Sequence, residues 1–150
     1  MTSIFKYMVP ELVAFLDVHT RDEALQALVD TLDAGGKLHD RQKFYDAIVE
    51  RERIVSTGIG MGVAIPHAKL SPYKDFFIAI GVLQRGVEWK ALDHAPVRLV
   101  FMIGGPDDKQ TEYLKILSAL TAEIKNEEAR KKILTLNSKE AIIRLFSHED

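Results

Sequence analysis

The stretch Ser56–Leu70 reads STGIGMGVAIPHAKL, with three glycines at alternate positions before a short apolar run, a proline and a histidine. The three glycines are Gly58, Gly60 and Gly62. They do not form a nucleotide loop, because such loops open a helix and use backbone N–H groups, whereas this segment opens a β-prone run and Pro66 has no N–H. We expect the glycines to shape a loop that lets another group approach the histidine, or simply to turn the chain.

Helix and strand patterns alternate before this stretch. The run Leu12–Val18 is β-prone and predicts a first strand. Thr20 and Glu23 then form a capping box for a helix that should end near Gly35 and Gly36, where a positive φ costs little. Asp40 can cap a second helix, which we expect to stop before the glycine-rich loop.

The rest of the chain continues the pattern with strands and then helices. Three short apolar runs bounded by Gly or Pro predict buried strands at Val63–Ile65, Phe76–Leu83 and Val97–Ile103. From Asp107 onward the apolar residues recur at helical spacing, and Asn126 and Ser138 can cap two further helices. We predict an α/β fold in a single domain over residues 1–150, with a central mixed sheet of about five strands flanked by helices on one or both faces.

Composition limits the function classes. A chain of 150 residues with 47% hydrophobic content can form one core of ordinary size. A net charge of -2 gives no electrostatic reason to expect a nucleic-acid or anionic-membrane partner. The absence of cysteine excludes disulfides, thiolate catalysis and iron–sulfur clusters. No run reaches the roughly 18 apolar residues of a membrane span, so we expect a cytoplasmic protein without membrane insertion.

His67 is the strongest candidate for chemistry. A neutral imidazole with an ordinary pKa of about 6.5 can serve as nucleophile, base or metal ligand. A metal site would need further ligands at suitable spacing, and the other histidines form no such cluster: His19, His39, His94 and His148. We therefore expect neither a metal nor a cofactor. On the residues alone, a purely structural histidine remains the alternative.

A longer segment around His67 carries a family resemblance. Arg51–Leu70, RERIVSTGIGMGVAIPHAKL, together with the later D-x-Q-T-x-x-L-x-x-L-S helix, resembles the enzyme IIA domains of the fructose–mannitol type. These domains belong to the bacterial phosphoenolpyruvate-dependent phosphotransferase system, and their nitrogen-regulatory relatives are the most similar in pattern. The resemblance covers nearly the whole chain. It implies a phosphocarrier in which His67 accepts a phosphoryl group from the phosphohistidine of the small carrier HPr or its nitrogen-branch paralogue.

The resemblance also implies roles for the residues around His67. Arg51 matches the arginine that stabilises the phosphoryl oxygens, for which a planar guanidinium is well suited. The alternative for Arg51 is a surface ion pair with Glu50 or Glu52. The remaining residues would shape the site and let the loop of the carrier reach the imidazole: Ser56, Thr57, Gly58, Gly60, Gly62 and Pro66.

Tyr113 marks a departure from the family pattern. Family members usually carry a second histidine followed by leucine at this point, and this chain has Tyr113 and Leu114. A tyrosine can donate a neutral hydrogen bond, but with a pKa of about 10 it cannot supply a positive charge. Its role at the site is therefore doubtful, and the alternative is that Tyr113 packs on the core while the neighbour of His67 comes from elsewhere.

Three roles follow from the resemblance. We favour a regulatory, nitrogen-type IIA in which phosphorylation changes the binding of a regulatory protein. The alternatives are a sugar-specific IIA that passes phosphate to a separate IIB protein, and a regulatory binding module that works without phosphorylation.

Overall fold

The computed structural model describes residues 3–147, which form a mixed β-sheet and five α-helices. The strands are β1 (Val13–Leu16), β2 (Gly58–Gly60), β3 (Val63–Ala64), β4 (His67–Lys69), β5 (Phe77–Val87) and β6 (Val97–Gly105). The helices are α1 (Arg21–Ala34), α2 (Arg41–Ile54), α3 (Gln110–Ile124), α4 (Glu127–Thr135) and α5 (Lys139–Arg144). The predicted α/β class is therefore confirmed, and the described residues contain six strands instead of about five.

Side chains cap the helices where the sequence predicts. The Thr20 side chain accepts a hydrogen bond from the Glu23 backbone N–H, and the Glu23 carboxylate accepts one from the Thr20 N–H. α1 then ends at Gly35. Asp40, Asn126 and Ser138 cap α2, α4 and α5 in the same way. These caps satisfy the N–H groups that the first turn of a helix leaves without partners.

The sheet has the order β1-β5-β6-β3-β2, and β4 also pairs with β6. β5 runs antiparallel to β6, whereas β3 and β4 both run parallel to β6 along its other edge. Val63 lies opposite Leu99, and His67 lies opposite Ile103 four residues further along β6. The mixed sheet is confirmed, and His67 lies near the carboxyl end of β6, the strand with which β4 pairs.

Helices cover both faces of the sheet. Alternate residues of β5, such as Ile78 and Ile80, pack with the apolar side chains of α3, α4 and α5. The intervening residues, such as Ala79 and Leu83, pack with α1 and α2. This alternation follows from the two-residue period of a strand and gives the sheet a core on each side.

Some strand bounds differ from the prediction, and two strands were not predicted. β1 begins at Val13 because Pro10–Leu12 forms a 3-10 turn. β5 continues past Leu83 to Val87. The short strands β2 and β4 lie in segments where no strand was predicted, and part of the expected Ser56–Gly62 loop is therefore β2. A three-residue strand gains its stability from its partner strand, so local sequence gives little signal for it.

Candidate functional site

The backbone orients the imidazole of His67. This residue begins β4 and is half-buried, and its Nδ1 lies 3.1 Å from the carbonyl oxygen of Ile65. A carbonyl oxygen only accepts, so Nδ1 carries the proton in this contact and Nε2 keeps its lone pair. The carbonyl of the intervening Pro66 accepts a hydrogen bond from the Ile103 N–H at 2.9 Å. The Ile65–Pro66–His67 turn is therefore fixed to β6, and it holds the ring in one tautomer.

The surroundings of His67 favour its neutral form. Burial is the largest effect and lowers its pKa below the ordinary value, and the positive charges of Arg51 and Lys69 lower it further. The hydrogen bond with Ile65 and the charge of Glu52 act in the opposite direction but do not reverse the shift. The neutral form of the ring is therefore favoured at neutral pH.

Arg51 lies in the last turn of α2 and directs its charge toward the His67 ring. Its Nη1 donates to the carbonyl oxygen of Val55 at 2.8 Å. The expected alternative, an ion pair with Glu50 or Glu52, is wrong: within residues 3–147, Glu50 pairs with Arg53 and Glu52 with Arg21. No carboxylate of residues 3–147 pairs with Arg51, and its positive charge lowers the pKa of both His67 and Tyr113.

Tyr113 is both a core residue and a neighbour of His67. Its side chain is only 5% exposed and belongs to the core on the α3 face of the sheet. Its ring centroid lies 5.6 Å from that of His67, with the planes tilted by 45°. The idea that the neighbour of His67 comes from elsewhere is therefore wrong. Burial raises the pKa of Tyr113, so the phenol stays protonated at neutral pH.

Lys69 completes the group of side chains around His67 and was missed from the sequence. Its Nζ lies 4.0 Å from the centroid of the Tyr113 ring and donates to Oε1 of Gln110 at 2.8 Å. The available signal was the two-residue spacing from His67, which places both side chains on one face of a strand. This spacing could not be interpreted from the sequence, because the strand β4 was not predicted.

The structural role of Glu52 was also not predicted from the sequence, although this residue directly follows Arg51. It is 4% exposed, and its two carboxylate oxygens accept from the N–H and the hydroxyl of Thr57, both at 2.6 Å. Trp89 Nε1 donates to the Thr57 hydroxyl at 3.3 Å, and the Ser56 hydroxyl donates to the Trp89 carbonyl at 2.8 Å. Ser56 and Thr57 thus fix the chain between α2 and β2.

The glycines lie at the other end of this segment. The turn between β2 and β3 has positive φ at Gly60 (97°) and Gly62 (74°), and the Gly62 carbonyl accepts from the N–H groups of Arg98 and Leu99. His67 pairs with Ile103, so it lies roughly 13 Å further along β6 at about 3.3 Å per residue. Gly60 and Gly62 are therefore not beside the imidazole.

Gly58 is restricted by close packing and not by its φ angle. A Cβ at this position would lie 2.7 Å from the Cβ of Ala91, which is closer than side-chain carbons approach one another. The structure thus assigns Gly58 to the contact between β2 and the 89–93 segment.

Exposed apolar side chains follow two of the site residues in the sequence. Ile54 and Val55 follow Arg51 at the end of α2 and are 74% and 59% exposed. Leu114 follows Tyr113 and is 51% exposed. Large exposed apolar side chains of this kind suit contact with another protein surface.

Within residues 3–147, no three His, Asp or Glu side chains are grouped so that they could hold a metal ion, and His148 lies outside this range. No helix among these residues is both long and apolar enough to cross a membrane.

Comparisons with known proteins assign the family. Residues 6–149 match the model of the family described as "Phosphoenolpyruvate-dependent sugar phosphotransferase system, EIIA 2". The PTS system fructose-specific EIIABC component of Bacillus subtilis is 40% identical over 130 residues, which are 87% of this chain and 20% of that protein. The chain therefore corresponds to about a fifth of the length of that relative.

Two other similar proteins are comparable in length to this chain. The PTS system fructose-specific EIIA component of Haloferax volcanii is 35% identical over 123 residues, which are 82% of this chain and 80% of that protein. The crystal structure of the nitrogen regulatory protein IIA-Ntr from Neisseria meningitidis superposes with a TM-score of 0.89 at 25% identity, covering 96% of this chain and 99% of the other. The chain therefore belongs to the EIIA type 2 family of the phosphoenolpyruvate-dependent sugar phosphotransferase system.

Proposed function

We propose that this chain is a phosphocarrier in which Nε2 of His67 accepts a phosphoryl group from the phosphohistidine of HPr or its nitrogen-branch paralogue. The observation that carries the proposal is the contact between Nδ1 of His67 and the carbonyl oxygen of Ile65. It leaves Nε2 as the ring nitrogen with a lone pair. Family membership supplies the class of chemistry for which that lone pair is suited.

The reaction needs little from the protein besides position and charge. As the new bond forms between Nε2 and phosphorus, the N–P bond of the donor breaks, and the donor imidazole keeps the electron pair of that bond. The Nδ1 proton of His67 remains on its hydrogen bond to Ile65, so no general acid or base is required. Arg51, which no carboxylate neutralises in the described part of the chain, stabilises the charge on the phosphoryl oxygens.

The other candidate site residues act on the shape of the site. Ser56 and Thr57 hold the chain that follows Arg51 through Trp89 and Glu52. Pro66 fixes the turn in which the carbonyl of Ile65 orients the His67 ring and the carbonyl of Pro66 itself pairs with β6. The three glycines lie in the hairpin of β2 and β3, which precedes Pro66 and His67 in the chain.

We propose a regulatory role as the use of this phosphorylation. A phosphoryl group adds about -1.5 to -2 charges at pH 7. Because the exposed Ile54, Val55 and Leu114 follow Arg51 and Tyr113 in the sequence, this charge would change which protein surface can pack against this part of the molecule. Tyr113 supports the same role, because it cannot supply the positive charge of the second histidine that family members usually carry at this point.

Transfer to a separate IIB protein is the second candidate. The specific observation in its favour is the identity with fructose-specific proteins, 40% and 35%, compared with 29% and 33% for two nitrogen regulatory proteins. A binding module that works without phosphorylation is the third. The cytoplasmic location expected from the sequence stays a prediction.

Intact-mass measurement tests the acceptor. The protein is incubated with phosphoenolpyruvate, enzyme I and HPr, and in parallel with the paralogous donor. We expect the mass of one acid-labile phosphoryl group, present in the wild type and in His94→Asn, and absent in His67→Ala. His94 is a suitable control because it is exposed and has a positive φ of 61°, which asparagine tolerates. Absence of a mass gain with both donors, or a gain in His67→Ala, would refute the proposal.

A second measurement separates the roles. The phosphorylated protein is mixed with a fructose-type IIB domain, and loss of the phosphoryl mass is followed in time. A regulatory protein should keep its phosphoryl group, and its binding to other proteins should differ between the two states. Rapid transfer to the IIB domain would instead establish the sugar-specific role.

A further inference from the structure

Lys69 has no role in the function proposed so far, although it lies on the same strand as His67. Lys69 lies two positions after His67 on β4, so both side chains project from one face of the strand, at a spacing of about 7 Å along it. Ala68, between them, is buried on the opposite face. The ammonium group and the imidazole therefore share one side of the sheet, the side that α3 covers.

Two contacts from the first turns of α3 hold the ammonium group. Nζ lies over the Tyr113 ring, 4.0 Å from its centroid, and donates one hydrogen bond to Gln110. An ammonium group has three N–H donors, and a ring face attracts its charge without occupying a specific donor. The contacts thus fix the position of the cation and leave donors for a ligand.

The charge of Lys69 has no acidic partner among residues 3–147. Other cations on the surface do have such partners, for example Lys131 with Glu127. Lys69 is half-buried, and its charge is felt at the His67 ring together with that of Arg51. Two cations beside a neutral imidazole are unfavourable for the free protein and favourable once a dianionic group is attached to the ring.

We infer that the Lys69 ammonium binds an oxygen of the phosphoryl group on Nε2 of His67, and that the face of the Tyr113 ring, not its hydroxyl, holds Lys69 in place. The inference rests on the proposed function. The cation acts on the negative oxygens as the N–P bond of the donor breaks and the new one forms, and no proton is transferred to or from Lys69. Tyr113 is then a positioning residue that acts through Lys69.

The first test removes the charge but keeps the length of the side chain. We expect Lys69→Met to accept phosphate about tenfold more slowly, because a charged donor to the transferred oxygens is lost at a partly solvated site. Lys69→Arg should restore most of the rate. Lys125→Met is the matched control, since Lys125 is exposed at the opposite end of α3. Rates are measured by intact mass with phospho-HPr and with phosphoramidate, a small donor that needs no protein docking.

The second test separates the ring of Tyr113 from its hydroxyl. Tyr113→Phe keeps the ring face and should stay within about twofold of the wild-type rate, whereas Tyr113→Leu should lose about as much as Lys69→Met. An independent readout is the pKa of His67 in the unphosphorylated protein, measured by NMR. It should rise in Lys69→Met, because a repelling positive charge has been removed.

The outcomes distinguish this inference from the function on which it rests. If the wild type gains no phosphoryl group, both fall. If it gains one and Lys69→Met matches it, the function stands and the role of Lys69 is refuted. A defect with phospho-HPr but not with phosphoramidate would mean that Lys69 contacts the carrier protein instead of the phosphoryl group. A large loss in Tyr113→Phe would assign the effect to the hydroxyl and refute the positioning role of the ring.

Discussion

The two ends of the 58–69 segment differ in what they contribute. The glycine end, Gly60–Gly62, turns the chain with positive φ angles and is tied to its surroundings by backbone hydrogen bonds. The histidine end, His67–Lys69, has regular strand geometry and presents an imidazole and an ammonium group that no carboxylate of the described residues neutralises. The conformational demands of this segment are concentrated at the end that lies away from the proposed chemistry.

This difference separates the residues that make the fold from those that are available to a ligand. Arg51 and Glu52 repeat it on a smaller scale, because they are neighbours in α2 with opposite surroundings. Glu52 is buried with its oxygens occupied by Thr57, whereas the Arg51 guanidinium donates to the backbone carbonyl of Val55 and has no acidic partner among residues 3–147. The following changes would break or sharpen the comparison, in order of decreasing effect.

Glu52→Ala should have the largest effect and should act on stability. It would leave the buried N–H and hydroxyl of Thr57 without their acceptor, at a cost of about 3 kcal/mol in the free energy of unfolding. Urea unfolding measures this cost. Glu50→Ala is the control, since Glu50 is exposed and its pair with Arg53 should contribute less than about 1 kcal/mol. Equal losses of unfolding free energy in both variants would mean that Glu52 stabilises the fold no more than the exposed Glu50 does.

Arg51→Ala should instead act on the rate of phosphorylation. We expect acceptance to slow about 30-fold, equivalent to about 2 kcal/mol of transition-state stabilisation, with little change in stability. Arg53→Ala, two residues further on the exposed surface of α2, should keep the wild-type rate. A wild-type rate in Arg51→Ala, followed by intact mass, would contradict the proposed site.

Gly62→Ala should cost about 1 kcal/mol in the free energy of unfolding, because an alanine must adopt a positive φ of 74° while its Cβ meets nothing closer than 3.7 Å. The rate of phosphorylation of the folded protein should not change. Thermal unfolding and the intact-mass rate check the two statements separately. A slower rate of phosphorylation in fully folded Gly62→Ala would mean that the glycine end contributes to the proposed site.

The pH dependence of His67 should be the smallest effect. Burial holds its pKa below 6.5, so the neutral nucleophile should persist as the pH falls from 8 to about 6.5. Below that, the unfolded chain takes up the proton before the folded one, and stability should decrease as the pH falls toward the pKa of the folded state. NMR titration of the His67 ring measures that pKa directly. Arg51→Ala should raise it, and an unchanged value would place the guanidinium too far away to act.

Most of the helices could be predicted because their signals are local. The capping box of Thr20 and Glu23 and the caps at Asp40, Asn126 and Ser138 each involve residues three positions apart. β2 and β4 could not, because three-residue strands form only when a partner strand lies beside them. The position of the glycines relative to the imidazole depends on that pairing and was missed for the same reason.

The site divides in the same way. The sequence determined the nucleophile candidate, the neighbouring arginine, the unusual tyrosine and the family, since all of these depend on residue identity and order. Only the tertiary structure decided which nitrogen of His67 keeps its lone pair, that Tyr113 lies beside it, that Arg51 has no acidic partner in the described range, and that Lys69 belongs to the group. The tautomer depends on the turn that leads into β4, and the contacts of Tyr113 with His67 and Lys69 exist only once α3 has packed against the sheet that contains β4.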